Sequence, residues 1–323
     1  MKKILFISFI LCFISISGYC QKESKYKVIN TVSNNVYDIC FSKNGISIAV
    51  TDNNTIKIYT TYTKEFLKEF INGHNAEIRA IDISKNDSIL VSGDKDGKIV
   101  VWDFINNKIL KALSYQKGVI SSLKISPDAR FLVSGGIDKK VYLYDLKNNS
   151  LLHEFTDHSD DVTSVAFSPD GKLLASAGGD KTIKIYDLSN YKMVTSLTRH
   201  KSWVRAIAFS SDSKKLISCG DDSRVITWDL SQKDKIDFQN EEKFGLDWLL
   251  SVDFNEDNNT YTFGGMSGRA RIITPTDRYD LNIGKPINKI KFKPKEGNFL
   301  KVVIATRGKG VIFLDGVNMK FNN

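Results

Sequence analysis

The sequence of 323 residues predicts an all-β fold built from seven repeated units. Three observations support this prediction. Aromatic residues followed by Asp recur at a fixed interval, each interval holds four short strand-like runs, and no long segment has the 3.6-residue period of an amphipathic helix. The composition is that of an ordinary globular chain, because 41% of the residues are hydrophobic and 26% are charged.

The repeat is most regular in the middle of the chain. Its strongest members are an aromatic residue followed by Asp, spaced by 42 residues: Trp102-Asp103, Tyr144-Asp145, Tyr186-Asp187 and Trp228-Asp229. Weaker members at similar spacing extend the series in both directions: Tyr59-Thr60, Ile273-Thr274 and Leu314-Asp315. The series therefore predicts seven units.

Each unit contains strand-like segments separated by turn residues. In the fourth unit, residues 162–167 alternate and are followed by Ser-Pro-Asp-Gly at 168–171, and further strand-like runs occupy 173–177, 182–186 and 193–197. Segments of this kind joined by Asp-Gly or Asn-Gly are typical of antiparallel hairpins. Seven units of four strands predict a seven-bladed β-propeller, whose radial arrangement leaves only short, protected sheet edges.

The last unit lacks a fourth strand of its own. Its third strand ends near Asp315, and only residues 316–323 follow. Residues 26–32, in contrast, form an alternating segment ahead of the first complete unit. Because an open ring would expose two sheet edges, we predict that residues 26–32 supply the outer strand of the last blade and close the circle.

A second pattern consists of His, Ser, Asp and an aromatic residue at intervals of 18, 4 and 6 residues. Three units carry it in full: His74, Ser92, Asp96 and Trp102; His158, Ser176, Asp180 and Tyr186; His200, Ser218, Asp222 and Trp228. The third unit keeps Ser134, Asp138 and Tyr144 but has Gln116 at the His position. A network of such side chains would pair polar atoms that the fold buries.

These motifs resemble the hydrogen-bonded tetrad of the WD-repeat family. The resemblance implies that the His precedes the innermost strand, the Ser lies on the second, the Asp is in the tight turn and the ring is on the third. It covers residues 21–323, with specific motifs in the middle and strand spacing alone at the ends. Ser-Pro-Asp-Gly turns also occur in exported propellers of the TolB type, but those propellers lack the recurring Gly-His and Trp-Asp pairs.

The first twenty residues have the layout of a secretory signal. Two lysines precede an apolar run at residues 4–16, and small or polar residues follow. The run is shorter than the roughly 20 residues of a membrane-spanning helix. We therefore predict that residues 1–20 are removed and that the exported chain begins at Gln21, in the periplasm or outside the cell. Lipid modification of Cys20 is the alternative, disfavoured by the bulky Tyr19 before it.

The charge bears on the class of partner, and the cysteine content bears on whether a disulfide forms. The net charge of +9 includes two lysines of the signal, and the excess is mostly lysine spread along the chain. Such a spread is typical of a solvated surface rather than a nucleic-acid site. Cys40 and Cys219 fall in units far apart in the predicted ring, so no disulfide is expected between them.

The sequence contains no strong motif for catalysis, for calcium binding or for phosphate binding. Three of the four histidines belong to the tetrads, no Ser lies in a Gly-x-Ser-x-Gly turn, and neither mature Cys has an activating neighbour in sequence. The acidic stretches 94–97 and 253–257 lack the Glu that completes a calcium loop. The glycine-rich segment 307–310 precedes no helix that could hold a phosphate. We predict a non-enzymatic protein without a metal or cofactor.

In WD-repeat proteins, the face with the loops that lead into the innermost strands is the usual docking platform. The resemblance implies that several apolar, aromatic and charged residues point there: Arg79, Trp203, Arg205, Asp221, Trp248, Leu250 and Met266. Trp and Arg are among the residue types that most often carry interface energy. We predict a protein or peptide partner over the fifth and sixth blades, centred on Trp203 and Trp248, with Arg205 and Arg79 giving charge complementarity.

The sequence leaves two alternatives open, one for the two tryptophans and one for the function. Trp203 and Trp248 could pack into the core between blades instead of facing a partner. The protein could also be an envelope enzyme or a carbohydrate-binding propeller that works in the central channel, because propellers host both kinds of function.

Overall fold

The computed structural model describes residues 27–29, 35–232, 236–294 and 301–315. Within these residues every regular element is a β-strand, and the strands form seven antiparallel sheets of four. The innermost strands contact one another in cyclic order around a central axis. The predicted seven-bladed, all-β propeller is therefore confirmed, whereas the predicted signal at residues 1–20 lies outside the described residues.

The blades are numbered 1 to 7 along the chain, and their strands are as follows. The innermost strands are β2 (Ile39–Phe41), β6 (Ile78–Ile83), β10 (Ile120–Ile125), β14 (Val162–Phe167), β18 (Val204–Phe209), β22 (Leu249–Phe254) and β26 (Ile287–Phe292). The second strands are β3 (Ser47–Asp52), β7 (Ile89–Asp94), β11 (Phe131–Gly136), β15 (Leu173–Gly178), β19 (Lys215–Gly220), β23 (Tyr261–Gly265) and β27 (Lys301–Thr306). The third strands are β4 (Thr55–Thr60), β8 (Ile99–Asp103), β12 (Val141–Asp145), β16 (Ile183–Asp187), β20 (Arg224–Asp229), β24 (Arg269–Ile273) and β28 (Val311–Asp315). The outer strands are β5 (Phe66–Phe70), β9 (Lys108–Leu113), β13 (Ser150–Phe155), β17 (Lys192–Leu197), β21 (Asp237–Lys243), β25 (Arg278–Asn282) and, for blade 7, β1 (Lys27–Ile29).

The hydrophobic core lies between blades. Second and third strands have continuous runs of buried residues, as in β15, because both faces of a blade are covered by its neighbours. A typical cluster joins Val133 and Leu143 of blade 3 to Val165 and Leu174 of blade 4. Each fully buried Val or Leu contributes roughly 1.5–3 kcal/mol relative to an exposed one, so the packing of neighbouring blades stabilises the ring.

The hairpin between the first and second strands needs a residue with positive φ. Gly45 and Gly171 occupy this position in blades 1 and 4, with φ of 67° and 73°. Asp87, Ala129 and Ser213 take the same conformation in blades 2, 3 and 5. A left-handed conformation costs little at Gly and more at Ala. Because residues other than Gly also take it in this chain, Asn-Gly and Asp-Gly mark only some of these turns in the sequence.

The two ends of the chain meet in blade 7. Strand β1 pairs antiparallel with β28, with Val28 opposite Ile312, and the sheet order is β1, β28, β27, β26. Strand β1 lies inside the predicted closing segment at residues 26–32. The face with the loops leading into the innermost strands is called the top face below. No helix in the described ranges has the length and apolar character needed to cross a membrane.

We expect removal of the closing strand to destabilise the whole ring. A chain that starts at residue 33 loses β1, so one edge of β28 is left without its partner strand. Its thermal midpoint should fall by roughly 5 °C or more relative to a chain that starts at residue 21, since about 1 kcal/mol shifts the midpoint by 2–4 °C at this size. A chain that starts at residue 27 is the matched control, and equal midpoints for all three chains would contradict the closure.

Candidate functional site

Blade 5 contains a complete tetrad. His200 Nδ1 lies 3.0 Å from Asp222 Oδ2, and His200 Nε2 lies 2.8 Å from Ser218 Oγ. Trp228 Nε1 donates to the same Ser218 Oγ at 3.0 Å. With the imidazole proton on Nδ1, the histidine donates to the carboxylate and accepts from the serine hydroxyl. The network therefore pairs its buried polar atoms and ties the top loop to the second and third strands.

Blade 4 repeats the network with one difference at the aromatic ring. His158 Nδ1 and Nε2 lie 2.8 Å from Asp180 Oδ2 and 2.8 Å from Ser176 Oγ, respectively. The Tyr186 hydroxyl, which replaces an indole N–H, is buried, and no atom of the described residues meets it with good hydrogen-bond geometry. Burial raises the pKa of Tyr186 well above its usual value. Tyr186 therefore acts mainly as a packing residue here.

Blade 2 differs from the sequence prediction, which placed Asp96 in the tetrad. His74 Nδ1 instead lies 2.7 Å from Asp94 Oδ2, while His74 Nε2 contacts Ser92 Oγ at 2.6 Å. Trp102 Nε1 donates to Ser92 Oγ at 2.8 Å. The carboxylate of the network thus comes from the end of strand β7, and Asp96 lies exposed in the turn.

The reason for this exchange is visible at the matching position of blade 4. Gly178 occupies the strand end there, and a Cβ added to Gly178 would lie 2.9 Å from His158 Nδ1. A side chain at this position would therefore occupy the space beside the imidazole that the turn carboxylate takes in blade 4. Asp94 fills that space in blade 2, and its other oxygen accepts from the backbone N–H groups of Asp96 and Lys98 at 3.0 and 2.9 Å.

Blade 3 forms an equivalent network without a histidine. Gln116 Oε1 accepts from Ser134 Oγ at 2.8 Å, and Gln116 Nε2 donates to Asp138 Oδ1 at 3.3 Å. The amide supplies one donor and one acceptor, as a neutral imidazole does. Tyr142 adds a hydrogen bond to Asp138 at 3.0 Å. The Gln in the third repeat is therefore a functional replacement of the His within the network.

The tetrad carboxylates are held in their charged form. Burial alone would raise the pKa of Asp94, but hydrogen bonds from His74 and from the Lys98 N–H outweigh it and lower the pKa below its usual value. The pKa values of Asp180 and Asp222 are lowered in the same way, against burial, by hydrogen bonds from His158 and His200, respectively. These groups therefore stabilise the fold most when they are ionised.

On the top face, backbone hydrogen bonds join residues that the sequence analysis placed at the docking platform. The Asp221 N–H donates to Trp203 O at 2.9 Å, and the Met266 N–H donates to Trp248 O at 2.9 Å. The equivalent bond in blade 2 joins Lys95 to the carbonyl of Glu77. Each bond fixes the loop that carries the tryptophan to the turn between the second and third strands.

Trp203, Arg205 and Asp221 form one connected group. Arg205 Nε and Nη2 donate to the two Asp221 carboxylate oxygens at 2.7 and 2.6 Å. The guanidinium lies 4.6 Å from the centre of the Trp203 ring. A Cβ on Gly179 of blade 4 would lie 2.8 Å from Trp203 Cε2, so the half-buried indole rests on the neighbouring blade.

Trp248 has a different environment. It is 53% exposed, and Leu246 in the same loop is 94% exposed. Leu250 and Met266 lie beside this loop and are half-buried. Trp203 thus packs at the boundary of blades 4 and 5, as the core alternative expects. Trp248 faces solvent, as the docking hypothesis expects.

Arg79 is committed to neighbours within the protein. Its guanidinium lies 3.9 Å from the centre of the Tyr37 ring of blade 1, and Nη2 donates to Glu77 Oε2 at 3.1 Å. Arg79 and Arg205 both have a carboxylate partner and an aromatic partner already. A carboxylate of a partner would have to share each arginine with its present carboxylate, and the charge complementarity of these two arginines stays a prediction.

Sequence reasoning missed a set of charged residues on the innermost strands. They form three ion pairs between neighbouring blades, with Lys124 Nζ 2.7 Å from Asp82, Lys291 Nζ 2.9 Å from Asp253 and Lys289 Nζ 3.3 Å from Asp38. Aligning the repeats by strand would have indicated four of them, because the fifth residue of the innermost strand is charged in blades 2, 3, 6 and 7. Lys289 lies two residues earlier in its strand, and Asp38 directly precedes β2.

The channel charges also influence one another across the ring. Burial lowers the pKa of Lys289, and nearby Lys291 and Lys124 add to this lowering while Asp38 opposes it. Burial would likewise lower the pKa of Lys124, but Asp82 and Asp38 outweigh it and raise that pKa. Because Asp38 belongs to blade 1, Lys124 to blade 3 and Lys289 to blade 7, these charges interact across more than one blade boundary.

Nothing in the described residues forms a metal or disulfide site. Among them, no three His, Cys, Asp or Glu side chains come together as potential metal ligands. Cys40 and Cys219 are buried as free thiols. Burial, together with the nearby Asp82 and Asp38, raises the pKa of Cys40. Such a thiol has little thiolate and is a poor nucleophile.

Seven radial four-stranded sheets, three of which contain a His-Ser-Asp-aromatic network, define a β-propeller built from WD repeats. The chain belongs to the WD40 family, because the family model for the WD domain, G-beta repeat, matches residues 26–60, 64–103, 107–145, 149–187 and 191–229. A comparison with curated proteins gave no match. Blades 6 and 7 lie outside the matched repeats, in agreement with the loss of the tetrad from their sequences.

The assignment of Asp94 rather than Asp96 to the network is directly testable. Asp94→Ala should lower the free energy of unfolding by about 2–4 kcal/mol, because it leaves His74 and two backbone N–H groups without their acceptor. Asp96→Ala, the matched control, should change the free energy by no more than about 0.5 kcal/mol. Urea unfolding at pH 7 measures both, and a larger loss for Asp96→Ala would restore the original assignment.

The stability difference between the parent protein and Asp94→Ala is expected to depend on pH. The pKa of Asp94 is lower in the folded chain than in the unfolded one, so its stabilisation is complete above the unfolded value of about 3.9 and is lost as the pH falls below it. The stability difference between the parent protein and Asp94→Ala should therefore be constant near pH 6–7 and shrink toward pH 3.

Proposed function

We propose that this protein is a non-enzymatic scaffold that holds a protein or peptide partner on its top face over blades 5 and 6. The observation that carries the proposal is the exposed apolar loop of blade 6, where Leu246 is 94% and Trp248 is 53% exposed. Exposed groups of large apolar side chains often mark the sites where a partner binds. WD40 propellers commonly serve as protein-interaction scaffolds, and this chain belongs to that family.

The loop is held in place before any partner binds. Asp247 accepts from the N–H and the hydroxyl of Ser267 at 2.9 and 2.5 Å, while Met266 donates to the Trp248 carbonyl. A preformed loop loses little conformational entropy on binding. The energy of burying its apolar side chains is therefore available to the complex.

The size of the effect can be estimated from Trp248 alone. A Trp side chain buries about 150–250 Å² when covered, and roughly half of Trp248 is still exposed. Covering about 100 Å² contributes roughly 2.5 kcal/mol at about 25 cal/mol per Å². This value is in the range of an interface hot spot.

Trp203 has a supporting role in this proposal. Its indole lies between Gly179 and the Arg205 guanidinium, so it has less apolar area to offer. Arg205 and Asp221 fix the position of the ring instead of pairing with a partner. The centre of the proposed contact thus shifts from both tryptophans to Trp248 and Leu246.

The central channel supports the scaffold hypothesis over an enzyme or a carbohydrate site. Asp82 and Asp253, for example, each bind a lysine and a backbone N–H of the next blade. Carboxylates engaged in this way hold blades together, and using them as an acid or base would remove that contact. Asp38 is engaged in the same way, by Lys289 and by the Ile81 N–H.

We further propose that the protein works outside the cytoplasm. The support is the sequence of residues 1–20, with two lysines, a short apolar run and small residues before Gln21. When the whole chain is produced with its own N-terminus in a secreting bacterium, intact-mass measurement should give a start at Gln21. A start at Cys20 carrying a diacylglycerol, absent in a Cys20→Ser variant, would instead make the protein a surface lipoprotein.

The proposed contact predicts a clear separation between two tryptophans. Trp248→Ala should weaken the partner complex by about 2 kcal/mol or more, about thirtyfold in affinity, with an unchanged thermal midpoint. Trp228→Ala should lower the thermal midpoint, because Trp228 is buried and donates to Ser218. The partner is first captured from cells on residues 21–323 and identified by mass spectrometry, and its binding isotherms are then compared.

Met193→Ala is the matched control for an exposed apolar residue, because Met193 is 46% exposed on the outer strand of blade 4. It should leave the isotherm unchanged. If Met193→Ala and Trp248→Ala bind the captured partner equally well, the proposed contact on blade 6 is wrong.

A further inference from the structure

A cleft of about 590 Å³ lies beside the exposed loop of blade 6. One wall is the segment 243–247, which connects the outer strand of blade 5 to blade 6. The opposite wall is formed by Arg269, Leu281 and Asn282 of strands β24 and β25. The cleft therefore opens between two blades and continues from the proposed contact at Leu246 and Trp248.

The floor of the cleft is rigid and electrically balanced. The Phe244 ring meets the buried Phe263 ring edge to face, with 5.1 Å between their centres, and the Arg271 guanidinium covers it at 4.8 Å. Arg271 is bound by Asp280 at 2.6 Å and by Glu242 at 2.7 Å. Its charge is thus compensated by carboxylates of the protein.

The rim of the cleft is positively charged. Lys243 and Arg269 are exposed there, and neither side chain forms an ion pair with any described residue. Arg199 and Arg224 in blade 5, in contrast, both pair with Glu241, at 2.8 and 2.5 Å. Lys243 and Arg269 are therefore the two cations of the cleft that form no close ion pair with a described residue. The pKa of Asp280 is lowered mainly by its hydrogen bond from Arg271, and Arg269 adds a smaller electrostatic contribution.

We propose that this cleft binds an acidic peptide segment of the partner, with a large apolar side chain against Leu246 and Phe244 and a carboxylate between Lys243 and Arg269. This inference rests on the proposed scaffold function and adds the chemical class of the ligand. Unpaired cations next to an apolar wall complement a sequence in which Asp or Glu adjoins Leu, Phe or Trp.

A peptide fits the cleft better than a nucleic acid does. Asp247 and Asp280 also line the cleft, and Glu242 lies directly behind Arg271. A phosphate backbone needs a continuous row of unpaired cations, and these carboxylates interrupt it. A short peptide can place one carboxylate at the rim and keep its apolar side chain near the floor.

The test starts from a random dodecapeptide display library selected on residues 21–323, which include every described strand. Enriched peptides should contain Asp or Glu within three positions of Leu, Phe or Trp. A synthetic peptide of the enriched sequence should bind about tenfold or more weakly to Lys243→Glu/Arg269→Glu than to the parent protein. Thermal midpoints establish that each variant is folded.

Lys108→Glu/Lys192→Glu makes the same change in net charge on the outer strands of blades 2 and 4, where both lysines are exposed. This control should change peptide affinity by less than about twofold, because screening limits charge effects to about 10 Å at 0.1 M salt. An equal loss for both double variants would overturn the proposal, as would displacement of the peptide by a single-stranded oligonucleotide.

The failure of this inference can be told apart from the failure of the scaffold function. Enriched peptides that lose affinity with Trp248→Ala but not with Lys243→Glu/Arg269→Glu would overturn the acidic cleft and leave the docking face in place. No enrichment relative to selection without the protein would count against both.

Discussion

The innermost strand of each blade has one edge that faces the central channel, and the N–H groups on that edge need acceptors. The neighbouring blade supplies them through side chains. Asp38 accepts from the Ile81 N–H at 3.0 Å, and Ser122 accepts from the Val165 N–H at 3.1 Å. Further contacts of this type join blades 2 to 3, 4 to 5 and 6 to 7. The interfaces between these blades, and with them the positions of their top loops, depend on these short polar contacts at the axis together with the packed cores.

The tetrads act at a greater distance from the axis and tolerate substitution for the same physical reason. Their requirement is that every buried donor and acceptor has a partner, not that a particular residue supplies it. Gln116 meets the requirement in place of His, and Asp94 meets it from a strand end in place of a turn residue. In blade 6, Asp247 and Ser267 form a simpler bond between the same loop and turn. The ring therefore keeps its geometry while its repeats diverge.

The sequence was sufficient for the ring because strand spacing is a one-dimensional property: four strands and their turns take up nearly the same length in every repeat. It was not sufficient for the partners of individual charges. Asp94 and Asp96 have nearly equal spacing to His74, and only the space beside the imidazole decides between them. The pairing of Arg205 with Asp221 and the cleft at Lys243 and Arg269 depend on side-chain directions across a strand or between blades. Such directions are set by packing, which no single repeat encodes.

The pairing of β1 with β28 joins Val28 to Ile312, so β1 finds its partner strand only after the strands of the six blades between them have been synthesised. Every other strand of the described chain pairs with strands of its own hairpin series. Bringing such distant segments together has an entropic cost that grows with the logarithm of loop length, and contacts of this kind slow folding. A chain that ends prematurely keeps six hairpin-built sheets but has no last sheet for β1 to complete. Closure of the ring by β1 therefore requires that synthesis has passed strand β28.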